Sequence, residues 1–129
     1  MLFRSNICYG GSYFVWAVSA QSGGFIQFTD GAGSIKMASS LGIGANQWIH
    51  VGVTFAPSSI TFYVNGVSKA TPVTTGTNII ISNPMYVGSI GSSGGFFQGD
   101  IANVKLHSKT FTAAEILQDF NSIRDRYGL

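Results

Sequence analysis

Asn65-Gly66 sits between two runs of β-forming residues, 60–64 and 67–70. A two-residue type I′ turn needs positive φ at both central positions. Asn and Gly tolerate that best, so the pair predicts a tight hairpin. The run before it, 47–56, is the longest strand candidate. Ile49, Val51, Val53 and Phe55 share one face, and Trp48, His50, Gly52 and Thr54 share the other. Shorter runs fall at 12–20, 24–29, 34–38, 78–81, 85–90 and 99–106. Gly, Pro, Asn or Ser turns separate them, and no helical period interrupts from Ser12 to about Ser108. That order predicts an all-β chain, an antiparallel sandwich or barrel, rather than a parallel α/β sheet.

One helix is written at the C-terminal end. Thr112-Ala113-Ala114-Glu115 is a capping box, with Phe111 and Ile116 at the two staple positions. Ile116, Phe120 and Ile123 form an apolar stripe, flanked by Ala113 and Leu117. Arg124 and Arg126 suit the negative end of the dipole, and Gly128 can end the helix. So short a helix must dock on the strands to be stable.

The 129 residues make one domain's worth of chain, with no linker, composition break or internal repeat. Charged residues are only 9%, against about 25% in an ordinary soluble domain. The sequence pI of 8.9 therefore rests on a net charge of just +2 and no basic cluster, which argues against nucleic acid as a partner. No apolar run reaches the roughly 20 residues of a membrane helix. Met1 to Asn6 does not read as a signal peptide. Cys8 is the single cysteine, so an internal disulfide is excluded, and it reads as a small buried thiol. Solubility must come from neutral polar groups, from cover by neighbouring molecules, or from both.

Two stretches resemble the laminin G-like group of the concanavalin A-like lectin/glucanase jelly rolls. The first is Asn46-Gln47-Trp48-Ile49-His50-Val51-Gly52-Val53-Thr54-Phe55, followed by Ile60-Thr61-Phe62-Tyr63-Val64-Asn65-Gly66. The second runs from Met85-Tyr86-Val87-Gly88 through Phe97-Gln98-Gly99-Asp100-Ile101 and Val104-Lys105-Leu106 to Phe111-Thr112-Ala113-Ala114-Glu115-Ile116. The resemblance implies an antiparallel β-sandwich of jelly-roll type with one short C-terminal α-helix. It implies a single such domain over residues 1–129, with abbreviated opening strands. Where the family usually carries acidic residues after Gly99, this chain has Ala102 and Asn103.

Glycosidases of the superfamily use close carboxylates, and glycoside hydrolysis needs two flanking the bond. Here Glu115 is engaged in the capping box, and Asp30, Asp100, Asp119 and Asp125 form no strand motif. A non-enzyme is expected. His50 and His107 belong to no nucleophile motif and read as structural histidines with satisfied rings. Two His and one Cys make no transition-metal site. No cofactor is expected. The best single candidate for a calcium ligand is Asp30 in Thr29-Asp30-Gly31, which reads first as a turn-forming Asp. The Gly-rich stretch 88–95 lacks the helix of a phosphate loop and reads as a surface turn. Phe96 reads first as sealing the end of the core; the functional alternative, by alternation with a buried Phe97, is an outward aromatic contact for a sugar or a subunit. Phe96, Asp30 and Trp16 are the candidate ligand- or partner-contact residues.

Two functional readings follow. The first is a virion surface protein of a bacteriophage, such as a capsid decoration, fibre or tail component. It would assemble as a homo-oligomer or with capsid and tail proteins, and contact host glycans. It rests on the absent export signal and on a sheet edge that missing opening strands would leave bare. The alternative is a carbohydrate-binding lectin or adhesion module of a secreted, extracellular protein. Neither involves nucleic acid or a membrane.

Overall fold

Among the described residues, eight strands lead to one helix. They are β1 (Leu2–Arg4), β2 (Trp16–Ser19), β3 (Phe25–Thr29), β4 (Ile35–Ala38), β5 (Ile49–Ala56), β6 (Ser59–Val64), β7 (Val67–Ala70) and β8 (Asp100–Asn103). Then come α1 (Ala113–Ile123) and a 3-10 turn over Arg124–Arg126. The structure is a computed structural model and describes residues 2–4, 16–19, 25–29, 35–38, 46–56, 59–70, 87–88 and 99–129.

Among the described residues, β7-β6-β5-β1-β8 form one sheet and β2-β3-β4 another. All their pairings are antiparallel. The expected hairpin is present. Asn65 and Gly66 have φ of 50° and 77°, and β6 pairs with β7 through Val64 and Val67.

The register of β5 on β6 sorts their side chains into two faces. Val51 lies opposite Val64 and Val53 opposite Phe62, while Gly52 lies opposite Tyr63 and Thr54 opposite Thr61. Both faces are buried. Ile49, Val51, Ile60, Phe62 and Val64 form an apolar core on the first, and His50, Thr54 and Tyr63 are buried on the second. On the second face the covering layer is α1, whose Ile116 lies over Gly52 and whose Leu117 and Phe120 meet Gly66.

Three features depart from the strand pattern expected above. β1 precedes the periodic region: three residues are too few for alternation to declare a strand. It gains its place by pairing on both sides, Leu2 and Phe3 with His50 and Ile49, and Phe3 and Arg4 with Ile101 and Asp100. The last strand stops at Asn103 instead of continuing to Leu106, because Asn103 already pairs with Leu2 near the start of β1. Val87 and Gly88 form a bend within the strand expected at 85–90, since Gly88 takes φ 77°, outside the extended region. The strand expected at 78–81 and Cys8 lie outside the described residues.

The helix forms as its cap dictates. The Glu115 N–H donates to Thr112 Oγ1 at 3.2 Å, and the Thr112 N–H donates to Glu115 Oε2 at 2.8 Å. Ile116 and Phe120, one turn apart, are its buried residues. The α-helix ends at Ile123 and tightens into the 3-10 turn. Gly128, at φ 67°, then lets the Leu129 N–H reach back to the Arg124 carbonyl at 3.1 Å.

Candidate functional site

The most concentrated polar chemistry among the described residues lies between β5 and α1. His50, 1% exposed, points from the central sheet toward the helix. Its backbone is fixed by the hairpin turn: the His50 N–H donates to Asn65 Oδ1, and the Asn65 N–H donates to the His50 carbonyl, both at 2.9 Å. The amide side chain of the turn residue thus holds the strand just where the β5–β6 ladder ends. On the imidazole, Nε2 is 3.4 Å from Asp119 Oδ2, and the ring lies 5.7 Å from the Phe120 ring. Nδ1 is buried without a hydrogen-bond partner. The other oxygen of Asp119 accepts from Lys105 Nζ, in the segment joining β8 to α1.

Charge in this cluster is settled by burial and by Lys105. Burial, above all, holds His50 down at about 4; nearby positive charge, Lys105 included, adds to that, and Asp119 opposes it. The imidazole is therefore neutral at neutral pH. Burial works against the Asp119 carboxylate, yet the hydrogen bond and charge of Lys105, with His50, outweigh it and lower its pKa overall. The result is a Lys–Asp ion pair with a neutral histidine at its inner end. A general base needs a free nitrogen within reach of a substrate proton. Here the free nitrogen is enclosed, and the contact of His50 with Asp119 ties α1 to the sheet. One ring nitrogen of His50 is satisfied and the other is not, a departure from the fully satisfied structural histidine expected from sequence.

Two aromatic pairs lie nearer the surface. Trp48, before β5, packs on Tyr127, after the 3-10 turn, with ring centroids 5.1 Å apart. His107 packs on Phe111 at 4.3 Å, with Lys109 Nζ 5.4 Å from the Phe111 ring. The first pair ties the end of the chain to the central sheet, and the second steadies the staple residue ahead of α1.

Trp16 opens β2, where its backbone pairs with Phe28. Asp30, which follows β3, and Phe96 lie outside the described residues. The described geometry therefore assembles no site from these three. Among the described residues, no group of three or more His, Cys, Asp or Glu could hold a metal ion. What the sequence reading missed was Asp119 as the partner of His50. Its signal was position: Asp119 falls three residues after Ile116 and four before Ile123, an acid on the stripe that faces the sheet.

These features coincide with a known family. A laminin G model, described as concanavalin A-like lectin/glucanases superfamily, matches residues 2–117. The chain belongs to that family, and the match runs from β1 into α1. Among solved structures, the chain is similar to an S-layer domain-containing protein (residues 221–444) from Clostridium thermocellum ATCC 27405, with 18% identity and a TM-score of 0.55. The similarity covers 88% of this chain and 59% of that one, and it concerns the fold. No curated protein matches the chain.

Proposed function

We propose that this chain is a non-catalytic carbohydrate-binding or adhesion module of an extracellular or surface protein. The observation that carries the reading is the family match over residues 2–117. A jelly-roll sandwich accords with it. Phe62 is completely buried on the apolar face of β5–β6, and the β2-β3-β4 sheet is the layer we assign to cover that face. The acidic groups support binding without turnover. Glu115 is held down at about 2 by Lys109 and by the Thr112 backbone, and Asp119 is paired with Lys105 and His50. Neither is free to face a second carboxylate across a glycosidic bond.

Glycans are the proposed ligands and neighbouring protein copies the proposed partners, as in a surface assembly. The S-layer description of the similar structure favours that setting over a virion. β1, seated between β5 and β8, also weakens the bare-edge argument for a virion. Trp16, Asp30 and Phe96 remain the proposed contact residues, and no calcium requirement is proposed. A glycan array read with and without calcium tests this. Binding to a defined class of glycans, unchanged by chelator and without cleavage of the glycan, is expected. Absence of binding at millimolar sugar, or release of oligosaccharides, would overturn it.

A further inference from the structure

We propose that the contact between β5 and α1 is an acid-released latch: protonation of His50 lifts α1 and the terminal turn off the sheet while β5, β6 and β7 stay paired. The inference is independent of the ligand and rests on how the two sides of His50 are held. Its backbone is fixed by Asn65 and by pairing with Leu2 of β1. Its ring has one neighbour that accepts, Asp119, and one nitrogen enclosed with none. The neutral ring tolerates this, with Nε2–H toward the carboxylate and Nδ1 as an idle acceptor. The imidazolium does not, because its second N–H would be a buried donor without a partner. Asp119 cannot fully compensate, since it already serves Lys105, whose own charge opposes a second cation.

Relief requires water at Nδ1, and the weaker wall of the site is the helix. The sheet side is tied by ladders of backbone hydrogen bonds. Of α1, Ile116 and Phe120 are the buried side chains. Among the described residues, the titratable and charged groups around His50 are Asp119 on α1, Lys105 before it and Tyr63 on the same face of β6, and the amino terminus adds positive charge. The opposite face of β5–β6 buries Ile49, Val51, Ile60, Phe62 and Val64, none of which titrates.

The sign follows from linkage. His50 binds its proton more weakly when docked, at about 4, than when released, near the ordinary 6.5. Docking is therefore at full strength above about 6.5 and weakens as pH falls toward 4, by up to tenfold per pH unit for one proton. The lowered Asp119 adds to the loss at the acid end of that range. Release would separate Tyr127 from Trp48 and uncover the His50–Gly52 face.

Residue-resolved amide exchange on the full chain from pH 7.5 to 4.5, corrected for intrinsic rates, tests the latch. Protection across Ala113–Ile123 should fall at least tenfold while β5 and β6 hold theirs. In Lys105→Met, Asp119 is left to accept the imidazolium, and the fall should shrink. In His50→Gln, which cannot take up the proton, it should largely vanish. Helix protection that stays flat in the unmodified chain, or that falls in step with β6, overturns the proposal. So does an unchanged pH response in Lys105→Met, a surface substitution that reads out even where His50→Gln fails to fold.

Discussion

The two faces of the β5–β6 pair are both buried, yet they are held by different physics. One is wholly apolar: Val51, Val53, Ile60, Phe62 and Val64 alternate along the two strands. The other carries Trp48, His50, Gly52, Thr54 and Tyr63, and receives a helix keyed by the contact of Asp119 with the neutral His50 ring. An apolar face contributes in proportion to area and is indifferent to pH and to small shifts of its partner. A polar key contributes less net stability but fixes position, because a slipped helix would leave His50 and Asp119 unpaired. The comparison assigns bulk stability to the first face and the register of the C-terminal segment to the second.

Truncation on the apolar face should have the largest effect. Phe62→Ala removes a fully buried ring and should lower unfolding stability by about 3–5 kcal/mol. Urea denaturation at pH 7.5 and at pH 5.5 should give the same loss. A loss under about 1 kcal/mol would show that nothing packs against that face.

On the helix-bearing face the most sensitive backbone position is Gly66. At φ 77° a Cβ would lie 2.8 Å from Leu117 Cδ1 and 3.0 Å from Phe120 Cδ1. Gly66→Ala should therefore cost about 2 kcal/mol, part backbone strain and part collision with α1. Adding Leu117→Ala should return some of the loss in the same denaturation experiment. If Gly66→Ala is neutral, the helix does not sit on the hairpin.

The cap is the smaller lever. Thr112→Ala removes one half of the capping box and should cost about 1 kcal/mol, with fraying confined to the first turn of α1 in helical circular dichroism and amide exchange. Equal loosening of β6 would mean that helix and sheet melt as one unit.

How much of this was legible in the sequence differs between the same two faces. The hairpin, the alternation of 47–56 and the capping box are local signals, spelled by residues within a few positions of one another. They appear in the structure where the sequence puts them. β1 was not legible, because three residues have no period. Its place comes from pairing with β5 and β8, nearly fifty and a hundred residues away in the chain. The His50–Asp119–Lys105 cluster was half legible. Each residue was visible, but their meeting depends on which face of β5 the helix covers, and no local pattern states that. Glu115 shows the opposite case: its partner Thr112 is three residues away, so its role could be read directly.

The claim that the helix is keyed by His50 and Asp119 is tested most directly by a double-mutant cycle at pH 7.5, using His50→Gln, Asp119→Asn and the pair. A coupling of about 1–2 kcal/mol is the predicted result, within the range seen for residues sharing one polar network. Single losses that add to the double within about 0.5 kcal/mol would contradict it, and would reduce the contact to two neighbours that happen to lie side by side.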